Sequence, residues 1–212
     1  DLYEANANSN QPNLNIGGDH SMAIASVADS LNKYDNLKVL WFDAHPDINT
    51  YEKSESKSYH GMPLSFLTGL DKNENFPYIK KHLDFKNLLY IGIRDIDEYE
   101  AEVIKKYNIQ YIKCEEVNKN PYETLKEIHH FIGENPYHIS FDVDGLDPYY
   151  IPCTGTAVKD GLDLYRVKYI MDNIDTKNLV NMDLTELNFE LGDADEQFKT
   201  MENVKYVLER FL

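Results

Sequence analysis

The sequence predicts an α/β protein: a mainly parallel sheet with helices on both faces, three layers in all (α/β/α). Three observations predict it. Apolar runs of strand length alternate with helical stretches along most of the 212 residues. Several of these runs are apolar without alternation, as strands covered on both faces are. Polar clusters follow the strands directly, and open α/β sheets bind ligands beyond the carboxyl ends of their strands.

Residues 1–13, DLYEANANSNQPN, are Asn-rich and polar with no apolar period, so they read as a loose leader or the remnant of a disordered insert. Residues 14–212 read as a single domain, within the size that one core supports. LNIGG (14–18) is a short strand, and a helix follows from Ser21 to Tyr34. Ile24, Val27, Ala28 and Leu31 give that helix its i, i+3, i+4, i+7 stripe. LKVLWF (37–42) is a continuous apolar strand, PLSFLTGL (63–70) starts a helix, and NLLYIGI (87–93) is a strand. EYEAEVIKKY (98–107) is helical and IQYIK (109–113) a strand. YETLKEIHHFI (122–132) is a helix and YHISFDV (137–143) a strand. LYRVKYIMDNI (164–174) is a helix, LVNMDL (179–184) a strand, and residues 197–212 form a last amphipathic helix.

Composition narrows the function classes. A formal net charge of −16 argues against nucleic-acid or acidic-membrane partners, because phosphate binding needs a basic face. It suits a cationic ligand or a metal, although acidity also serves solubility alone. No apolar run approaches a membrane span and no signal-peptide pattern opens the chain, so a cytoplasmic setting is expected. Cys114 and Cys153 have no C-x-x-C or framework spacing, which suggests reduced thiols and leaves one disulfide open.

The chemistry lies in the polar clusters. GDH follows the first strand, DAHPD the second, RDID the third, DVDGLDP the strand ending near 143, and TE the last. At a strand end, residues i and i+2 point the same way, so Asp43 and His45 share one direction, as do Asp142 and Asp144. With Asp47 and His20 the rim offers four carboxylates and two imidazoles. That exceeds one tetrahedral zinc and holds too much imidazole for a calcium cage. Mixed His and carboxylate sets suit Mn(II), and also Fe, Co or Zn. Six such ligands with shared carboxylates suggest two ions roughly 3.5–4 Å apart. Asp-Val-Asp-Gly does not complete a calcium loop: Gly145 comes too early and no Glu closes twelve positions. Any one fragment alone could be turn caps and surface acids; three at successive strand ends is a different matter. His129 and His130 lie inside a helix, and His82 and His138 lack acidic companions at ligand spacing, so these four read as structural. Walker, G-x-S-x-G, H-E-x-x-H and G-x-G-x-x-G patterns are absent.

GGDHS (17–21), DAHPDIN (43–49), YHGMPLSFL (59–67) and SFDVDGLDP (140–148), in this order, resemble the arginase branch of the ureohydrolases. TGT (154–156) and the acid of MDLTELN (182–188) match the same pattern, and the Asn-, Lys- and Tyr-rich composition is similar to that of malaria-parasite members. The resemblance implies an arginase/deacetylase-like fold and two Mn2+ ions per chain. By motif, His20 and Asp47 would bind one ion and His45 and Asp144 the other, with Asp43 and Asp142 bridging. The implied reaction is hydrolysis of L-arginine to L-ornithine and urea. Asp47 would hydrogen-bond the attacking hydroxide, Glu186 would pair with the substrate guanidinium, and His60 would move the proton to the departing amine. Asn49 and Ser56 match positions that hold the α-carboxylate, Asp97 one that faces the α-amino group, and Thr156 a neighbouring pocket position.

The resemblance also implies a homotrimer and, in most members, an additional amino-terminal strand–helix–strand region ahead of the GGDH segment. Ser58 stands where Asn is usual, and ELNFELG departs from the usual E-V-N-P. Two other functions compete with arginine hydrolysis. One is another manganese amidinohydrolase such as an agmatinase; the other is a catalytically silent scaffold on the same fold.

Overall fold

The computed structural model describes residues 2–9, 11–72 and 74–211. Six strands form one sheet: β1 (Asn13–Ile16), β2 (Lys38–Phe42), β3 (Leu88–Ile91), β4 (Gln110–Ile112), β5 (Tyr137–Asp142) and β6 (Leu179–Thr185). Their spatial order is β1-β6-β5-β2-β3-β4, and every pairing is parallel.

Among the described residues eight α-helices complete the layers: α1 (Leu2–Ala7), α2 (Ala23–Lys33), α3 (Pro63–Thr68), α4 (Glu98–Tyr107), α5 (Cys114–Lys119), α6 (Pro121–Ile132), α7 (Leu164–Asn173) and α8 (Ala194–Leu208). Alternation along the strands explains the sandwich. Val39 and Trp41 of β2 and Leu88 and Tyr90 of β3 pack with apolar residues of α2, α3 and α4. Leu40, Phe42, Leu89 and Ile91 point the other way, against α5, α6, α7 and α8. Both faces of the central strands are therefore dry, as their unbroken apolar runs require.

The order of the strands places the site. From β2 the chain steps outward to β3 and β4; it then returns to lay β5 on the opposite flank of β2 and continues to β6. The crevice between β2 and β5 is thus the topological switch point of the sheet. Asp43 follows the last residue of β2, and Asp142 is the last residue of β5.

Two elements differ from the sequence expectation. The leader is not loose: residues 2–7 form α1, and β1 begins at Asn13. Asn6, Asn13 and Asn15 look like loop formers but satisfy one another. Asn6 is buried; its Oδ1 accepts from Asn13 Nδ2 at 2.9 Å, and its Nδ2 donates to Asn15 Oδ1 at 3.2 Å. Asn15 Nδ2 in turn donates to Asp183 Oδ1 at 2.8 Å. Tyr3 stacks on Tyr78 with ring centroids 4.7 Å apart. The second difference is α5, a short helix over residues expected as a connector, whose Cys114 and Val117 are buried in the core.

His138 keeps its structural role, but with an acidic partner that local spacing could not show. Its Nε2 lies 2.8 Å from Asp183 Oδ2 and its Nδ1 3.0 Å from Ser30 Oγ, all fully buried. Cys114 and Cys153 are both free and buried. Among the described residues no helix is long and apolar enough to cross a membrane.

Candidate metal centre and substrate pocket

Short polar turns at the strand ends aim the ligands. Asp43 Oδ1 accepts from the His45 backbone N–H at 2.7 Å, and Asp142 Oδ1 accepts from the Asp144 N–H at 2.8 Å. Each pair is an Asx-type turn that holds its second ligand. Gly145 lets the two turns meet, since a Cβ there would sit 3.1 Å from the Asp43 nitrogen. His20 opens a short helical turn capped by Asp19. Asp47 (φ 48°) and Glu186 (φ 60°) hold left-handed backbone conformations, a strain that non-glycine residues keep where the surroundings enforce it.

The six side chains converge. His20, Asp43 and Asp47 bring ligating atoms within 4.8 Å of one another, and so do Asp43, His45 and Asp144. Asp43 belongs to both groups: its Oδ2 lies 3.1 Å from His20 Nδ1 and its Oδ1 3.4 Å from His45 Nδ1. A carboxylate with one oxygen toward each histidine has the disposition of a bridge. Asp47 Oδ2 and Asp142 Oδ2 lie 3.0 and 3.1 Å from His20 Nδ1, and Asp144 Oδ2 lies 3.2 Å from His45 Nδ1. Asp142 therefore faces His20 with one oxygen while its other holds the Asp144 N–H.

The donor set fits a divalent pair. His20 Nδ1 is buried without a hydrogen-bond partner and is surrounded by three carboxylate oxygens. Its other ring nitrogen, Nε2, lies 2.9 Å from Ser140 Oγ, a hydroxyl that can accept the ring N–H and so support the tautomer that leaves Nδ1 as a ligand. The ring also stacks on Trp41 at 4.2 Å, and Trp41 Nε1 donates to Asp43 Oδ2 at 2.9 Å.

Electrostatics tell the same story. Burial pushes the Asp47 carboxyl up, the Asp43 charge adds to it, and together they bring it to about 7. Burial and the charges of Asp43 and Asp144 hold Asp142 well above the carboxylate range. Burial would raise Asp43 too, but the His20 and His45 rings facing its two oxygens outweigh it and hold the carboxyl below the ordinary range. Burial opposes protonation of His45, yet Asp144 and Asp43 lift it to about 12; His20 is likewise raised by its three acids. Four buried acids this close need positive charge, which protons or divalent cations can supply.

A cavity of about 170 Å3 opens above this cluster. His20, His45, Asp47, Asn49, Ser56, His60, Asp97, Asp142, Thr156 and Glu186 all line it, while Asp43 and Asp144 are buried against His20 and His45 and do not. Asn49 Nδ2 donates to Asp97 Oδ2 at 2.6 Å. Glu186 Oε1 accepts from the His20 N–H at 2.7 Å and lies 3.7 Å from His60 Nδ1. That acid raises the His60 pKa against partial burial. Thr156 lines the cavity and also donates to Asp144 Oδ2 at 2.7 Å, so it braces a ligand.

Sequence reasoning missed several residues here. Glu100 lines the cavity, and its carboxylate accepts from the N–H groups of Ile48 (3.1 Å) and Asp97 (3.2 Å), joining the two pocket loops. Burial lifts it to about 8, against those two backbone hydrogen bonds. The D-x-x-E spacing of Asp97 and Glu100, a capping box, was the available signal. Ser54, Asp95 and Ser140 carry no such signal.

The arginase family profile matches residues 2–209. An arginase of Plasmodium berghei is 43% identical over 193 residues, covering 86% of this chain and 54% of its own length. An arginase of Plasmodium falciparum is 42% identical over 197 residues, 87% of this chain and 47% of its own. The chain thus spans about half the length of these curated relatives. An arginase of Entamoeba histolytica, solved in complex with L-ornithine, superposes with a TM-score of 0.88 at 31% identity, over 97% of this chain and 73% of that one. An arginase of Bacillus cereus superposes with a TM-score of 0.89 at 28% identity, over 98% and 75%.

Proposed function

This chain belongs to the arginase family, and from that premise we propose that it hydrolyses L-arginine to L-ornithine and urea with two manganese ions. One observation carries the reading. Five candidate ligands from separate segments cluster around a shared carboxylate, Asp43, and a sixth, Asp142, faces the same buried and unpartnered imidazole nitrogen, His20 Nδ1.

His20 and Asp47 would hold one ion, His45 and Asp144 the other, with Asp43 and Asp142 facing both. A guanidinium stays protonated below about pH 12 and its delocalised carbon resists neutral water. A divalent pair supplies the remedy: it ionises water near neutrality, a drop from about 15.7 to about 7 in favourable zinc sites.

The protein's own groups do the rest. Glu186, at the cavity wall, pairs with the guanidinium and turns its carbon toward the cluster. Asp47 accepts a hydrogen bond from the attacking hydroxide. Oxygen adds to the guanidinium carbon, the bond to the side-chain nitrogen breaks, and that nitrogen leaves as the amine of ornithine. His60, half-exposed and with its pKa raised by Glu186, donates the proton that amine needs. Asn49 and Ser56 would receive the α-carboxylate and Asp97 the α-amino group, a pairing that agmatine cannot complete.

The test is metal quantification on the purified chain together with urea release from arginine and from agmatine. Two equivalents of manganese and a preference for arginine are expected. Preference for agmatine would assign a different amidinohydrolase. Failure to take up manganese would leave a silent scaffold.

A further inference from the structure

The RDID segment after β3 contributes Asp97 to the pocket, but its first residue has no role in the reaction proposed above. Arg94 is half-buried and spends its guanidinium in an unusual way. Nε donates to Lys159 O at 3.1 Å. One terminal nitrogen donates to Gly92 O and Gly145 O, both at 3.1 Å, with the Cys114 thiol at 3.8 Å. The other donates to Asp144 O at 2.8 Å and Val158 O at 2.7 Å, with Leu146 O at 3.5 Å. Every acceptor except the thiol is a backbone carbonyl, and among the described residues no carboxylate pairs with this cation.

These carbonyls belong to separate pieces of the rim. Asp144, Gly145 and Leu146 form the turn after β5; Val158 and Lys159 belong to the loop that carries Thr156; Gly92 directly follows β3. The backbone N–H groups of Arg94 and Asp95 both donate to Ala44 O, at 2.7 and 3.1 Å, which adds the β2 rim. The two loops held by the guanidinium also meet through a side chain, since Thr156 donates to Asp144 Oδ2. Besides its N–H on Asp142 Oδ1 and the Ala44 N–H on its Oδ1, Asp144 is thus held at its carbonyl by Arg94 and at Oδ2 by a threonine whose loop Arg94 anchors. Among the described residues the guanidinium has no contact with His20 or Asp47, and His20 is held instead by Ser140, Trp41 and Glu186.

We propose that Arg94 is a positioning residue for one ion of the pair only: it sets the His45–Asp144 half of the centre and leaves the His20–Asp47 half to other supports. The inference rests on the two-ion reading above. Five N–H donors in a planar fork serve six carbonyls here, and a lysine ammonium, with three donors at one point, cannot span them.

The test compares Arg94→Lys with the wild-type chain by titrating manganese(II) alone and counting bound equivalents against a chelator of known affinity. The variant is expected to keep one ion at wild-type affinity and to bind the second at least tenfold more weakly. Unchanged affinity for both ions overturns the proposal. So does equal weakening of both, the signature of a general structural role. A wild-type chain that binds fewer than two ions defeats the functional reading itself. Hydrogen exchange of the metal-free wild-type chain is the second measurement, and it needs neither ion nor variant. Residues 143–146 and 156–159 are expected to open together at one rate; independent opening overturns the clasp.

Discussion

Ser140→Ala isolates what holds the His20 imidazole in place. The hydroxyl lies 2.9 Å from His20 Nε2, and both residues are essentially sealed from solvent, His20 at 1% and Ser140 at 0% exposure. No bulk water can replace the lost oxygen, so the ring N–H is left unsatisfied, a penalty of about 1–3 kcal/mol. The ring can escape only by turning, and stacking on Trp41 at 4.2 Å opposes that. The penalty falls on the tautomer that presents Nδ1 to a metal, so it appears as lost metal affinity. At about 1.4 kcal/mol per tenfold, the expectation is roughly a 10- to 100-fold weaker manganese affinity, the range such supporting contacts usually cost. Competition against a fluorescent chelator measures it. Thermal denaturation of the metal-free protein serves as the control. Wild-type affinity in a folded S140A protein would refute the claim that Ser140 selects the tautomer.

Three other outcomes follow from the same geometry. Asp144→Ala removes the acceptor of the Thr156 hydroxyl and the Ala44 N–H; it should lose one ion and nearly all urea release while circular dichroism stays native. Asn49→Ala frees Asp97 from its 2.6 Å partner and should raise KM for arginine more than for agmatine in parallel urea assays; equal changes would remove Asn49 from carboxylate recognition. Asp183 sets an acid limit on stability. Burial pushes its carboxyl up, but the His138 charge and hydrogen bonds from His138, Ser26 and Asn15 outweigh burial and hold it below the ordinary 3.8. Its stabilisation is therefore present above that value and is lost as pH falls through it. Asp183→Asn should cost about 3–5 kcal/mol in urea unfolding near pH 7 and less at pH 3; a pH-independent loss would contradict an ionised Asp183 carboxylate.

Much of the site was legible because strand-end chemistry is local. Asp43 and His45, or Asp142 and Asp144, need only the alternation of a strand and a short turn to share a direction. The helix of residues 98–107 came out with its observed bounds because its apolar period and flanking Asp97 agree. The leader misled for the opposite reason. Asparagine favours turns when alone, yet Asn6, Asn13 and Asn15 form a network that ends on Asn181 and Asp183, more than 160 positions away. No window of neighbouring residues contains that partner. The same blindness hid the Asp183 partner of His138 and the carbonyls gathered by Arg94.

Residue types and their periods were enough to set the parallel α/β class, the rim on which the acids lie, and the ligand chemistry. These depend on 2.0 and 3.6 residue repeats and on side-chain donors, which any single stretch displays. Only the folded chain decided that β2 and β5 lie side by side, so that Asp43 stands between two histidines from different segments. Only there do Ser140 and Arg94 acquire partners. Those contacts arise where distant segments exclude water together, and a carboxylate's charge or an imidazole's tautomer is settled by what surrounds it in space.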